Sequence, residues 1–255
     1  MVGDRKLQRR NVFPQRPSPA LSYVIGANIG DGCTLTKNWI VKLEVTDLDF
    51  AQTFNANMAT LFDRAGPNKI LVKRFKVERL PMYVVRYSSK QLVELLRQPI
   101  KKVLELAFAF PREFLRGFFD AEGHVDVGIT GRLDLFVGAE NSDKLLLSMM
   151  KQLLKGRLGI NSNMNRKRMA GSIKVIRGKS FVMRRTSFSL VIRRISDLKR
   201  FAEEVGFSIS RKTQKLNDAL SIIATFDARS RPRAWQQLYS KVRGEWVRRD
   251  LSRLG

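Results

Sequence analysis

Apolar and polar residues along the chain change period several times, and each change marks an element. Over residues 39–45, Trp39, Val41, Leu43 and Val45 alternate with Ile40, Lys42 and Glu44, which predicts a half-buried strand. Phe50, Phe54, Met58, Leu61 and Phe62 then recur at helical spacing until Gly66-Pro67 stops the pattern. Two strand-like runs follow, 69–78 and 82–87. Residues 88–97 predict a helix capped by Ser88 or Ser89, with Leu92, Leu95 and Leu96 on its apolar side. Residues 100–110 cross into a second half, where Pro111 marks another helix start.

The same order then returns. Strands are predicted over 125–129 and 133–137, joined through Gly131. Leu145, Leu146, Met149, Leu153 and Leu154 form a helical stripe ending near Gly159. Two long basic strands, 163–177 and 181–194, precede a helix over 196–205. In the second of these strands Phe188, Leu190 and Ile192 alternate with Ser187, Ser189, Val191 and Arg193, giving one apolar and one polar or basic side. Each half thus reads helix, two strands, helix, two strands, helix, an α+β arrangement in which a sheet buries one face under helices. Residues 231–254 predict a basic amphipathic helix with Trp235, Leu238, Val242 and Trp246 near its apolar side. Packing back onto the second half is favoured for it over a separate DNA-binding element. Residues 1–19 are basic, contain three prolines and show little periodicity, as a mobile or DNA-tracking arm would. The expected organisation is an arm (1–19), a first repeat (20–110), a second repeat (111–220) and a basic extension (221–255).

Two stretches stand out as copies, Val24-Ile25-Gly26-Ala27-Asn28-Ile29-Gly30-Asp31-Gly32 and Leu115-Arg116-Gly117-Phe118-Phe119-Asp120-Ala121-Glu122-Gly123. Gly26, Gly30, Asp31 and Gly32 recur as Gly117, Ala121, Glu122 and Gly123, all displaced by 91 positions (117 minus 26, 122 minus 31). Read as helices, each copy places small residues at i and i+4 on one side, which lets two helices approach closely. The obvious partner of each is the other copy. That packing would bring Asp31 and Glu122 together, and two neighbouring acids call for a cation between them, most simply a hard divalent metal. One copy alone would read as a polar helix end. Gly32 and Gly123 suit the left-handed residue that stops a helix.

Composition narrows the chemistry. Lys and Arg number 48 against 23 Asp and Glu, a formal charge of +25 in 255 residues, so a polyanionic partner is expected. No stretch has the length and apolarity of a spanning helix and no secretory signal opens the sequence, which favours nucleic acid over a membrane and an intracellular, cytoplasmic or nucleoid-associated protein. Cys33 is the only cysteine and His124 the only histidine. Intramolecular disulfides are therefore excluded, and zinc fingers and His-dependent triads are not expected; hydrolysis would rest on carboxylates, lysines and a metal. His124 reads as a hydrogen-bonded structural residue or a DNA contact, and Cys33 as a small packing residue. The sheet sides away from the helices would carry Lys42, Lys73, Arg74, Lys76, Arg86, Arg132, Lys174, Arg177, Lys179, Arg184 and Arg193 as candidate DNA contacts, since a β-ribbon fits the major groove.

The doubled stretch resembles the paired signatures of the LAGLIDADG homing endonucleases in their single-chain, two-copy form. Tyr23-Val24-Ile25-Gly26, Gly30-Asp31-Gly32 and 114–123 are similar to archaeal intron- or intein-encoded members, and the resemblance extends over about residues 20–220. It includes 88–92 and 140–146, where the family begins its outer helices. It implies two αββαββα repeats related by a pseudo-twofold, central motif helices, a β-saddle on double-stranded DNA and cleavage of both strands at a long, rare site by a monomer. It also implies that Asp31 and Glu122 bind Mg²⁺, with Mn²⁺ able to substitute and Ca²⁺ binding without supporting cleavage. Lys212, within Arg211-Lys212-Thr213-Gln214-Lys215-Leu216, is the implied lysine near the active-site water; its first-half counterpart is Lys101 or Lys102. A polar residue ending the second strand is Thr46 or Asp47 in one half and Glu140 or Asn141 in the other. Ile29 departs from an often acidic position that Asp120 keeps, with packing rather than catalysis expected to change. An intron RNA maturase and a catalytically silent DNA-binding protein are the alternatives on this scaffold.

Overall fold

In the computed structural model, residues 16–75, 80–176, 179–242 and 244–249 are described. Lys76, Arg177 and most of the N-terminal arm lie outside them. The chain divides into two compact units, Met1–Phe114 and Leu115–Gly255.

In the first unit, α1 (Pro19–Gly30) starts at Ser18, whose Oγ accepts the Leu21 N–H at 3.1 Å, with proline in the first turn where no intrahelical donor is lost. β1 (Gly32–Leu35), β2 (Ile40–Val45), α2 (Leu48–Leu61), β3 (Leu71–Lys73), β4 (Met82–Ser88), α3 (Lys90–Leu96) and α4 (Ile100–Ala107) follow. The strands form an antiparallel sheet in the order β1-β2-β4-β3. Val41, Leu43 and Val45 are buried, as are Phe50, Phe54 and Met58 of α2. Ser89 caps α3 by accepting the Leu92 N–H at 3.2 Å. Trp39 lies outside β2 rather than on its buried side: its φ of 51° puts it in a left-handed turn, partly exposed, with Lys90 over its ring.

The second unit repeats this order. α5 (Pro111–Glu122), which begins in the last residues of the first unit, leads directly into β5 (Gly123–Ile129), then β6 (Leu133–Asn141), α6 (Lys144–Leu158) and β7 (Asn163–Arg168). A two-stranded ribbon, β8 (Ile173–Ile176) and β9 (Lys179–Val182), interrupts the path to β10 (Ser187–Ile192) and α7 (Ile195–Glu204). The sheet order is β5-β6-β10-β7, the first-unit order over again. Each unit is therefore αββαββα with a four-stranded antiparallel sheet, the predicted α+β class. α8 (Ser210–Thr225), α9 (Arg231–Leu238), β11 (Tyr239–Val242) and β12 (Glu245–Arg248) complete it. Among the described residues, no helix is long and apolar enough to cross a membrane.

Several expectations need correction. The 231–254 helix stops at Leu238, and β11 and β12 form a hairpin turning at Gly244, whose φ of 86° favours glycine. The extension does pack on the second unit: Trp246 Nε1 donates to the Val127 carbonyl at 2.8 Å, and the buried Trp235 stacks on Tyr239 at 3.9 Å between ring centres. On α6 the buried stripe is Leu146, Leu147, Met150, Leu153 and Leu154, while Leu145 is 54% exposed. Each of the two long basic strands is broken in two, at 169–172 and 183–186. Ser189 and Val191 are buried along with Leu190 and Ile192, so β10, an interior strand, is covered on both sides at this end. β1 is too short to show a period, whereas α4 escapes prediction although Ile100, Val103, Leu104 and Ala107 recur at helical spacing and the last three are buried.

Candidate metal centre and nucleic-acid interface

Both motif helices end in the same way. Asp31 caps α1, its N–H reaching the Ala27 carbonyl at 3.1 Å, and its side chain is exposed. Glu122 is the last residue of α5 and is half-buried. Neither following glycine is left-handed, contrary to expectation. Each is required instead by how closely the chain doubles back as it enters the strand. A Cβ on Gly32 would lie 2.4 Å from Asn28 Cα, and one on Gly123 would lie 2.3 Å from the Phe119 carbonyl oxygen, far inside contact distance. Asn28 and Phe119 are themselves 91 positions apart (119 minus 28), so the acid-glycine pair serves one backbone geometry used twice.

Glu122 is held in place. Asn141, at the end of β6, donates from Nδ2 to Glu122 Oε1 at 2.9 Å, which selects Asn141 over Glu140 as the strand-end partner. Glu140 instead pairs with Lys167 at 2.6 Å. Its burial favours the neutral acid, but Lys167 prevails and holds the carboxyl below its ordinary pKa. In the first unit Asp47 precedes α2 at its N-cap position.

Asp31 and Glu122 offer only carboxylate oxygens, and among the described residues no group of three or more His, Cys, Asp or Glu could hold an ion. Carboxylate oxygen is the donor type that Mg²⁺ takes, usually from one or two carboxylates with water and phosphate oxygens completing the shell. His124, two residues after Glu122, lies over Gly138, where a Cβ would come within 2.8 Å of its Nε2, and meets Phe136 edge-on at 5.9 Å. Burial keeps its pKa below the ordinary value against the pull of Glu140, favouring neutral imidazole.

The predicted lysines differ. Lys212, in the first turn of α8, is only 7% exposed, and its Nζ donates to the carbonyls of Asp120 (2.7 Å) and Phe119 (3.2 Å). Lys101 and Lys102, in the first turn of α4, are exposed. Asp120 is buried and accepts the Ser208 N–H at 2.8 Å and the Ser208 hydroxyl at 2.6 Å.

The basic residues fall into two groups. In the first sheet Lys42 and Lys73 both pair with Glu44, at 2.9 and 2.6 Å, while Arg86 lies opposite Lys42 in register and is exposed, as is Arg74. In the second unit Arg132 pairs with Asp134 at 3.0 Å, Arg193 lies over the Phe136 ring at 4.5 Å, and Arg184 is exposed between β9 and β10. Lys174 and Lys179 lie on the β8–β9 ribbon. Asn163, Asn165 and Lys167 escaped the sequence reading, although their alternation in β7 signals one side of a strand; Asn165 and Glu140 both face Ser189 in register.

The comparisons with known proteins agree with this architecture. The LAGLIDADG-like domain matches residues 109–206. The uncharacterized protein MJ0398 of Methanocaldococcus jannaschii is 31% identical over 208 residues, spanning 80% of this chain and 72% of that protein. The chain belongs to the LAGLIDADG-like family. Two solved structures share its fold. One is the homing endonuclease I-DmoI in complex with DNA and Ca, with a TM-score of 0.51 and 19% identity over 80% of this chain and 99% of that one. The other is full-length DUF199/WhiA from Thermatoga maritima, with a TM-score of 0.51 and 17% identity over 86% of this chain and 65% of that one.

Proposed function

We propose that the protein is a sequence-specific, divalent-metal-dependent DNA endonuclease that cuts both strands of a long, rare site. Asp31 and Glu122 would hold the metal ions. What carries the reading is the doubled helix end: an acid followed by a glycine that close backbone approach requires, repeated in the two units, with Glu122 oriented by Asn141. Mg²⁺ is the expected ion, with Mn²⁺ able to replace it and Ca²⁺ able to bind without turnover. A bound divalent ion supplies charge neutralisation at the scissile phosphate and eases ionisation of an attacking water. The residues of the chain do the rest. Asn141 keeps one Glu122 oxygen engaged and so restricts how the carboxylate turns.

The exposed sides of the sheets supply the DNA contacts, with Arg74, Arg86 and Arg184 directly available and Lys42 and Lys73 shared with Glu44. Affinity resting on phosphate contacts falls steeply with salt, while side chains along the strands read base edges. Asp31→Asn and Glu122→Gln are expected to abolish cleavage and retain DNA binding. Full cleavage by either variant overturns the assignment. Binding without cleavage by the unaltered protein in Mg²⁺ would indicate a silent DNA-binding protein, and support of intron splicing without cleavage would indicate a maturase.

A further inference from the structure

Three sets of side-chain contacts fasten α5 to the segment that links α7 and α8 and to the first turn of α8. Arg116 Nε donates to the Val205 carbonyl at 2.6 Å, Asp120 takes both donors of Ser208, and Lys212 Nζ reaches the carbonyls of Phe119 and Asp120. Arg116 and Asp120 are four residues apart and so share one side of the helix. Their counterparts in the first motif, 91 positions earlier, are Ile25 and Ile29. Ile25 is fully buried and Ile29 half-buried, in a helix that packs on α2 and α4. A polar clasp on one motif helix thus takes the place of apolar packing on the other.

The position of the lysine gives the clasp its purpose. The last four carbonyls of a helix lack intrahelical donors, and a cation there is favoured by the helix dipole. Lys212 serves two of those four, in the turn that ends at Glu122. It is almost fully buried, with its ammonium 5.4 Å from the centre of the Phe207 ring. Those two carbonyls engage two of the three ammonium N–H bonds and so tie the lysine to the helix end.

We propose that Lys212, together with the Asp120–Ser208 pair, is a positioning element that fixes the last turn of α5 and thereby the Glu122 carboxylate. Through this turn it sets the metal affinity of one motif and does not activate water. This rests on Glu122 being a metal ligand. The first motif has Ile29 in place of Asp120, and both candidate counterparts of Lys212, Lys101 and Lys102, are exposed, so the dependence belongs to the second motif alone.

The test uses the full chain and a duplex carrying its selected site, labelled on each strand in turn. Lys212→Met and the milder Ser208→Ala are each expected to raise the Mg²⁺ concentration for half-maximal cleavage, about tenfold for Lys212→Met. The rate at saturating Mg²⁺ should stay within about twofold, and Lys212→Arg should restore most of the loss. In metal-free protein, amide hydrogen exchange at 120–123 should quicken in both variants. A Lys212→Met protein that folds, keeps its Mg²⁺ requirement and loses its saturated rate overturns the proposal in favour of a catalytic lysine. Ser208→Ala with unchanged exchange and unchanged Mg²⁺ requirement overturns it as well. If Glu122→Gln cleaves normally, the underlying metal-site reading fails instead, whatever Lys212 does.

Discussion

Asn141 holds Glu122 from a strand end, with 2.9 Å between Nδ2 and Oε1, so the carboxylate assigned to metal binding is oriented by a residue on another element. Losing such a partner usually weakens metal affinity or activity about 10–100-fold. Asn141→Ala should therefore raise the Mg²⁺ requirement for cleavage at least about tenfold and leave DNA affinity nearly unchanged. A magnesium titration of cleavage beside a binding isotherm in Ca²⁺ checks this.

Gly32 and Gly123, the glycines after the acids, should tolerate no side chain without a backbone shift. Gly123→Ala drives a Cβ into the Phe119 carbonyl and Gly32→Ala into the Asn28 backbone, so each should cost about 1–3 kcal/mol of stability. Gly156 inside α6 has open space around its missing Cβ, and Gly156→Ala should stabilise by about 0.5–1 kcal/mol. Opposite signs in denaturant unfolding are the expected result.

Much of this was legible beforehand, and the rest was hidden for identifiable reasons. The 91-residue offset, the caps at Ser89 and Gly159 and the start at Pro111 are local signals, and the structure keeps them. The requirement for Gly32 and Gly123 shows as a pattern in the sequence but its cause does not, because a close backbone approach has no sequence signature separate from a left-handed turn. Trp235, Leu238, Val242 and Trp246 fit a helical period, yet Gly244 and the Trp246 bond to Val127 favour a hairpin, a tertiary effect that spacing does not carry. Arg116, Asp120 and Lys212 meet across about 90 residues of sequence, so their clasp could not be read locally.

Glu44 engages two of the lysines assigned to DNA. Glu44→Gln should release Lys42 and Lys73, tighten DNA binding and steepen the dependence of log K on log salt by up to about one unit per lysine released. The same variant has a pH signature. The Lys73 and Lys42 hydrogen bonds hold the Glu44 carboxyl below its ordinary pKa, so its contribution is present above the unfolded-state value and is lost as pH falls through the lowered folded value. Stability of Glu44→Gln should accordingly fall less steeply on the acid side, as equilibrium unfolding at a series of pH values would register.

The β8–β9 ribbon exposes Ile173 and Val182 opposite one another, at 69% and 67%. If the ribbon follows DNA, these side chains meet base methyl groups or sugars in a groove. Ile173→Ser with Val182→Ser should leave unfolding stability within about 0.5 kcal/mol, as expected for exposed positions, and shorten the protected region on one side of the site. Footprinting on the selected duplex reads this directly.

The central claim is that two helix-end acids make this basic fold a nuclease. Incubating the full chain with a randomised duplex library in Mg²⁺, and sequencing the new ends, tests it most directly. The account predicts breaks in both strands at one recurrent long sequence, absent in Asp31→Asn and Glu122→Gln although both variants still bind that sequence. Recovery of a bound sequence that is never cut by the unaltered protein, or equal cutting by either variant, would contradict it.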